Sequence, residues 1–208
     1  MATGGAVAMV LEAMVLAGGA GSRFGGGKLT TPWRGGVLID GALAAAFAAP
    51  ARSVTVVTGA DPKVMAAAKA FAERAGEPDR LRLVHCADHV EGMGATLRTG
   101  VAALPPDADG AFVFLGDMPL IPPTILPQLA GALTAGAAAA APSFDGQRGH
   151  PVLFSRALFV QLLDLKGDQG ARDVLKSLGP RLVIVPSNDA GTLVDIDAPD
   201  DLDKVRGR

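Results

Sequence analysis

Cysteine, aromatic residues and excess charge are all scarce in this sequence. A single cysteine, Cys86, excludes an intramolecular disulfide and favours a reducing compartment. Only 4% of the residues are aromatic and none is tyrosine, so a core must be built mostly from Ala, Val and Leu. The 19 basic and 21 acidic residues leave a formal net charge of -2. The sequence therefore has no excess of positive charge that would indicate binding to nucleic acid or to an anionic membrane.

Long hydrophobic runs are also missing. No apolar stretch reaches the roughly 20 uninterrupted residues that a transmembrane helix needs. The chain begins with an apolar segment, but no Lys or Arg precedes that segment and Glu12 interrupts it, which argues against a secretory signal. We therefore expect a cytoplasmic protein in which residues 1–10 form a flexible extension. The remaining residues, 11–208, form one domain, since no linker or internal repeat divides them.

Short apolar runs alternate with helical patterns along most of the chain. Strands are predicted over residues 11–16, 53–58, 81–85, 111–115 and 136–141, and helices over 38–48, 62–74, 94–104 and 123–133. This alternation predicts βαβ units in a Rossmann-like, three-layer α/β/α domain with a mostly parallel sheet.

The pattern changes after residue 141. The turn dipeptide Asp145-Gly146 and an apolar run over 151–154 predict a hairpin. Helices over 157–163 and 171–178, a strand over 181–185 and a helix over 200–205 follow. We expect this part to add a mixed β region over one edge of the sheet.

A glycine-rich segment, residues 15–28, directly follows the first strand. Open α/β sheets bind ligands beyond the carboxyl ends of their strands. Glycines allow successive backbone N–H groups to close around phosphate oxygens. Arg23 and Lys28 add positive charge against a triphosphate. The segment therefore predicts a nucleotide-binding loop.

This loop matches neither of the two common phosphate-binding patterns. The dinucleotide fingerprint would need glycine where Phe24 stands. A P-loop would need glycine in place of Ser22 and a hydroxyl residue in place of Leu29. A Rossmann oxidoreductase and a P-loop enzyme are both disfavoured.

Carboxylates follow two other apolar runs. Asp117 comes just after the strand over 111–115, so its side chain is expected at the same sheet edge as the glycine-rich loop. Such a carboxylate suits Mg²⁺, which prefers oxygen ligands together with substrate phosphates. Asp195 and Asp197 flank Ile196, so both point the same way in an extended segment. Either could be a second metal ligand.

Six segments together resemble one family. They are L-A-G-G-x-x-S-R-F-G-x-x-K-L in the loop, GMGATL at 92–97, LGDMP at 115–119, GHP at 149–151, GDQGAR at 167–172 and DIDAP at 195–199. This order resembles the nucleotidyltransferases that attach nucleotides to molybdopterin, within the wider sugar-nucleotide transferase superfamily. The last three segments most resemble the molybdenum cofactor cytidylyltransferase branch. The resemblance implies the fold of the nucleotide-diphospho-sugar transferases.

The resemblance also implies a reaction and a set of nucleotide contacts. A nucleoside monophosphate would pass from CTP or GTP to the phosphate of molybdopterin or the molybdenum cofactor, with release of pyrophosphate. Mg²⁺ would bind Asp117 and Asp197, and Arg23, Lys28 and Asp117 would be the catalytic residues. The expected nucleotide-binding residues are Leu16, Ala17, Gly18, Gly19, Gly21, Ser22, Arg23, Phe24, Gly25, Lys28, Thr58, Asp88, Gly94 and Asp117.

Four residues are expected on the acceptor side: Arg148, His150, Asp168 and Arg172. The choice of base stays open. Gly19 leaves more room than the Ala common in cytidylyl enzymes and favours guanine, whereas the segments after residue 141 favour cytosine. The alternatives are a sugar phosphate or other phosphate as acceptor, and a non-catalytic accessory protein. Such a protein would bind nucleotide or molybdenum cofactor and pass it to a molybdoenzyme partner.

Overall fold

One mixed sheet organises the chain. The computed structural model describes residues 8–19, 21, 24–167 and 170–205. The strands are β1 (Leu11–Ala17), β2 (Pro32–Trp33), β3 (Gly36–Val37), β4 (Val54–Thr58), β5 (Leu81–His85), β6 (Gly110–Leu115), β7 (Ala139–Phe144), β8 (Gln147–Arg148), β9 (Val152–Ser155) and β10 (Leu182–Pro186). The α-helices are α1 (Ile39–Ala48), α2 (Lys63–Arg74), α3 (Met93–Ala102), α4 (Leu126–Thr134), α5 (Phe159–Leu163), α6 (Arg172–Ser177) and α7 (Pro199–Val205). None of these described helices is long and apolar enough to span a bilayer.

The strand order is β10-β7-β9-β6-β1-β4-β5, and β8 pairs with β7. Strands β6, β1, β4 and β5 are parallel to one another, as the alternation of strands and helices predicts. Strand β1 lies in the middle, and all seven of its residues are buried. A buried central strand of this kind is a continuous apolar run because both of its faces are covered.

The two faces of β1 lead to two separate apolar clusters. Ala13, Val15 and Ala17 pack in a cluster with residues of α1, α2 and α4. Met14 and Leu16 pack in the opposite cluster with residues of α3, α5 and α6. Successive strand residues point to opposite faces, so one strand serves both layers. The predicted three-layer α/β/α arrangement is confirmed.

The region after residue 141 differs in detail from the expected hairpin. Strand β7 turns at Asp145-Gly146 into the two-residue strand β8, which pairs with it. Strand β9 then runs antiparallel between β6 and β7, so the mixed region continues the sheet instead of covering its edge. Local sequence does not reveal this insertion, because it depends on pairing with β6, which lies far away in the chain.

Two further features were not predicted. The short hairpin of β2 and β3 carries too few residues to show periodicity. Its Trp33 packs with Leu38 and with three residues near the end of the chain, Ile196, Leu202 and Val205. This third cluster holds α7 against the body of the domain.

Val10, which precedes β1, is hydrogen-bonded to Asp109, which precedes β6. The Val10 amide donates to Asp109 Oδ2 at 2.8 Å, and the Asp109 amide donates to the Val10 carbonyl at 2.8 Å. The contacts of the domain therefore begin before Leu11. Residues 1–7 of the predicted extension lie outside the described residues.

Candidate active site

The glycine-rich loop and Asp117 leave the sheet side by side. Strands β1 and β6 are in parallel register, with Leu16 opposite Leu115. The Gly116 amide extends this pairing by donating to the Leu16 carbonyl at 3.0 Å. The segments that follow β1 and β6 therefore leave the sheet at the same edge, as expected for the carboxyl ends of parallel strands.

Lys28 connects the loop to two carboxylates. Its Nζ lies 2.7 Å from Asp117 Oδ2 and 3.5 Å from Asp197 Oδ1. The Lys28 side chain is 13% exposed, against 26% for Asp117 and 54% for Asp197. The structure thus brings together three residues that are distant in sequence.

The segment that carries Asp197 is fixed by the turn after β6. The Ile196 amide donates to the Asp117 carbonyl at 3.0 Å, and the Ile196 side chain is fully buried. Partial burial raises the pKa of the Asp195 carboxyl, and the charges of Asp197 and Asp117 act in the same direction. Negative charge therefore accumulates at this edge.

A divalent cation fits this donor set. Among the described residues there is no group of three or more His, Cys, Asp or Glu side chains arranged to hold a metal. Mg²⁺, however, commonly uses one or two carboxylates and completes its shell with water and substrate phosphates. The carboxylates of Asp117 and Asp197, which both lie near Lys28 Nζ, meet that requirement.

The loop itself bends through glycines with positive φ. Gly21 has φ 59°, Gly25 80° and Gly27 63°, a region that side-chain-bearing residues rarely adopt. The Gly21 carbonyl accepts hydrogen bonds from the Phe24 amide at 2.9 Å and the Gly26 amide at 3.2 Å. Ser22 and Arg23 lie outside the described residues.

The start of the loop is tightly surrounded on one side. Leu16 and Ala17 are buried at the end of β1. A Cβ on Gly18 would lie 2.5 Å from Thr96 Oγ1, whereas a Cβ on Gly19 would meet no atom of the described residues within 4 Å. Gly18 therefore allows close packing against α3, and none of the described residues closes the space beside Gly19.

A cavity of about 580 Å³ lies on the α3 side of the sheet edge. Three of the four residues predicted for the acceptor line it: Arg148, His150 and Arg172. Leu16 lines the same cavity, which brings the acceptor residues next to the glycine-rich loop. Asp168 lies outside the described residues.

His150 has a constrained place in this cavity. Its amide donates to the Thr192 carbonyl at 2.9 Å. Its buried Nδ1 has no hydrogen-bond partner within the described part of the chain. Burial lowers the pKa of His150 to about 4, although a hydrogen bond to the Val113 backbone and the charge of Asp117 oppose this shift. The imidazole is therefore neutral near pH 7.

Three predicted nucleotide-binding residues are less directly placed. Thr58 is 2% exposed, and its hydroxyl donates to the Val84 carbonyl at 3.3 Å within the sheet. The Gly94 amide donates to the Gly167 carbonyl at 3.1 Å. Asp88 is exposed and precedes the 3₁₀ turn His89–Glu91. None of the three shares the contacts that join Lys28 to the two carboxylates.

The sequence interpretation missed the apolar lining of the cavity. Met93, Leu97, Val113, Leu115, Val152 and Phe154 contribute to it. Val113 and Leu115 are two apart in β6, and Val152 and Phe154 are two apart in β9, so each pair shares a face. The strand period could have revealed the shared faces, but not that the two strands are neighbours.

Comparison with known proteins identifies the family. The MobA-like NTP transferase domain matches residues 13–182. The chain belongs to this family. Purine catabolism protein PucB of Bacillus subtilis (strain 168) is 33% identical over 206 residues, which cover 94% of this chain and 96% of PucB. Molybdenum cofactor cytidylyltransferase of Escherichia coli (strain K12) is 26% identical over 191 residues, covering 92% of this chain and 93% of that enzyme.

Solved structures share the fold of this chain. Rv0371c from Mycobacterium tuberculosis H37Rv superposes with a TM-score of 0.78 at 27% identity, covering 97% of this chain and all of that one, 100%. A further structure of Rv0371C is a complex with manganese, with a TM-score of 0.75 at 25% identity over 96% of this chain and 99% of that one. The predicted nucleotide-diphospho-sugar transferase fold is confirmed.

Proposed function

We propose that this MobA-like protein is a Mg²⁺-dependent enzyme of the cytoplasm. It transfers a nucleoside monophosphate from CTP or GTP to the phosphate of molybdopterin or the molybdenum cofactor. The observation that carries the proposal is the convergence of Lys28, Asp117 and Asp197 beside the glycine-rich loop. A cationic side chain and two carboxylates beside a glycine-rich loop support the binding of a triphosphate together with its metal.

The cavity supports an anionic acceptor of substantial size. Its volume of about 580 Å³ falls in the range of small-molecule sites. Arg148 and Arg172 offer guanidinium groups to a phosphate, while the apolar lining suits a flat ring system. Similarity to a molybdenum cofactor cytidylyltransferase along 92% of this chain favours molybdopterin or its molybdenum form.

The chemistry needs charge stabilisation more than acid–base catalysis. An oxygen of the acceptor phosphate forms a bond to the α-phosphorus while the bond from that phosphorus to the bridging oxygen breaks, and pyrophosphate leaves. A phosphate monoester is already anionic near neutral pH, so it requires no strong general base. Lys28 stabilises the charge that develops on the departing phosphates, and Arg23 is proposed to assist it.

Asp117 and Asp197 would hold the divalent cation, which when bound draws the nucleotide phosphates and the acceptor oxygen together and reduces their repulsion. The manganese complex of Rv0371C supports the use of a divalent cation in this family. His150, neutral near pH 7, contributes a polar but uncharged wall on the acceptor side. It would orient the acceptor without competing for its phosphate.

Two observations favour different bases. The space that the described residues leave at the Cβ position of Gly19 favours the larger guanine. The similarity to a cytidylyltransferase favours cytosine. Both nucleotides are therefore included in the test.

The test measures pyrophosphate release. The protein is incubated with Mg²⁺, each nucleoside triphosphate, and either molybdopterin or its molybdenum form. We expect release with CTP or GTP that depends on the acceptor. Release only with a sugar phosphate or another phosphate in place of the pterin would favour a different acceptor. No release with any pair would leave an accessory binding role.

Asp117→Asn tests the metal assignment in the same assay. We expect turnover to fall by about 100-fold or more, because the amide removes the charge that holds the cation. Asp79→Asn, at an exposed aspartate in the 3₁₀ turn before β5, is the matched control and should keep wild-type turnover. Full turnover by Asp117→Asn would rule out Asp117 as the metal ligand.

A further inference from the structure

The turn that carries Lys28 is tied to a second loop by a single side chain. Lys28 begins the 3₁₀ turn Lys28–Thr30. The Thr30 hydroxyl lies 3.0 Å from Asp61 Oδ2 and 3.2 Å from the Gly27 carbonyl. A charged carboxylate is the stronger of these two acceptors. The turn is therefore bound to Asp61, which lies 31 residues further along the chain.

Asp61 is itself held in place. Its Oδ1 accepts a hydrogen bond from the Lys63 amide at 2.9 Å, and its carbonyl accepts one from the Val64 amide at 3.3 Å. These contacts fix the carboxylate at the beginning of α2. One carboxylate oxygen thus serves the helix, and the other serves the turn that carries Lys28.

Several contacts anchor the turn that carries Lys28. The Leu29 side chain is buried in the core, 7% exposed, and the Leu38 amide donates to the Thr31 carbonyl at 2.9 Å. The bond from the Thr30 hydroxyl to Asp61 attaches the turn to the beginning of α2 as well, and so restricts its orientation further. The Lys28 ammonium then stays directed at Asp117 and Asp197. Such orientation matters because a displacement of about 1 Å in a positioned group can cost about 100-fold in rate.

We propose that Asp61 is a positioning residue for nucleotidyl transfer, which acts through the Thr30 hydroxyl to orient Lys28. The inference rests on the proposed function. Neither Asp61 nor Thr30 is assigned a contact with substrate. The effect on the nucleotide is transmitted entirely by the orientation of Lys28.

A purely structural role for Asp61 would be to stabilise the start of α2. Thr30 substitutions separate the two roles, because they leave the Asp61 contact with the Lys63 amide intact. Thr30→Val removes the hydroxyl and keeps the shape, whereas Thr30→Ser keeps the hydroxyl. Thr31→Val is the matched control, since the Thr31 hydroxyl bonds only the Gly27 carbonyl among its contacts in the described residues.

The experiment measures the affinity of each full-length variant for Mg²⁺-CTP and Mg²⁺-GTP by calorimetry, together with kcat and KM in the pyrophosphate assay. We expect Thr30→Val and Asp61→Ala each to weaken nucleotide affinity about ten-fold and to lower kcat. Thr30→Ser and Thr31→Val should stay within about two-fold of the wild type. The Thr30→Val, Asp61→Ala double variant should bind nucleotide no worse than Asp61→Ala alone, because both changes break one connection.

Two results would overturn the proposal. The first is a Thr30→Val variant with the nucleotide affinity and kcat of the wild type. The second is a Thr31→Val variant whose nucleotide affinity falls as much as that of Thr30→Val. Failure of the proposed function has a separate signature, which is nucleotide binding by the wild type without pyrophosphate release from any acceptor. The affinities of the variants would still test the positioning role in that case. If the wild type bound neither nucleotide, both proposals would fail.

Discussion

At the scale of single residues, the chemical type of each candidate side chain could be read from the sequence. The residues that it contacts could not. Lys28 and Asp117 were identified from the glycine-rich loop and from a position just after a strand. Their separation of 2.7 Å depends on the pairing of β1 with β6 and on the path of the loop that carries Lys28, which are both tertiary features. Thr58, by contrast, ends a strand as expected, yet its side chain is buried and bonded within the sheet. Position at a strand end does not determine which way a side chain faces.

Burial of His150 should make stability depend on pH. Its pKa is lowered from 6.5 to about 4, so the unfolded chain binds this proton more tightly than the folded one. The resulting stability is present above about pH 6.5 and is lost as the pH falls towards about 4. Between about pH 7 and pH 5 this loss amounts to about 2 kcal/mol.

His150→Gln should reduce the fall in unfolding free energy between about pH 7 and pH 5 by that amount. Urea unfolding at the two pH values measures the difference. His85→Gln, at an exposed histidine of β5, controls for the loss of an imidazole as such. An unchanged pH dependence in His150→Gln would contradict the assignment.

At the scale of elements, two helices approach the site by close backbone contact. Gly41 lets α1 pack directly against Pro119, just after Asp117. The first turn of α3 contacts both the glycine-rich loop and Gly167, because Thr96 packs closely against Gly18 and the Gly94 amide donates to the Gly167 carbonyl. Gly41 had no signal in the sequence, since a helical glycine shows neither periodicity nor charge.

Gly41→Ala should disturb the turn that carries Asp117. An added Cβ would lie 2.6 Å from Pro119 Cα, so the backbone must shift. We expect a loss of about 1–3 kcal/mol in unfolding free energy, together with lower turnover. Thermal unfolding and the pyrophosphate assay measure the two effects.

Gly131→Ala is the matched control for this change. Gly131 is an exposed helical glycine of α4, and a Cβ there meets no atom of the residues that the structure describes within 4 Å. It should raise stability by about 0.5–1 kcal/mol and leave turnover unchanged. A Gly41→Ala variant that behaved like Gly131→Ala would show that the contact with Pro119 tolerates a methyl group.

At the scale of the whole molecule, the two ends of the central strand β1 differ in their surroundings. The carboxyl end of β1 leads into the glycine-rich loop. Near the amino end, the fully buried Glu12 accepts hydrogen bonds from Arg52 Nε at 2.7 Å, Ser53 Oγ at 2.6 Å and the Ser53 amide at 3.0 Å. Arg52 in turn binds Asp107 through both terminal nitrogens. This network ties strand β1 to the loops before β4 and β6, at the end of the sheet away from the site.

Glu12→Gln should therefore lower stability and spare activity. The amide replaces one acceptor oxygen by a donor that faces other donors, at a cost of about 2 kcal/mol or more. Urea unfolding should show this loss, while the nucleotide KM and kcat stay at wild-type values. Asp107→Asn, at the exposed end of the network, should have a smaller effect on stability. A clear change in the nucleotide KM of Glu12→Gln would contradict this prediction and would indicate that the two ends of the sheet are coupled.

The sequence by itself determined the alternation of strands and helices, the nature of the loop and the residue types that could hold a phosphate or a metal. These are local properties, because periodicity, glycine content and charge act over a few residues. Only the tertiary structure decided that β9 lies between β6 and β7, that Asp197 approaches Lys28, and that Arg148 and Arg172 line one cavity with Leu16. The physical reason is that strand pairing joins segments distant in the chain, and local patterns do not specify which segments pair.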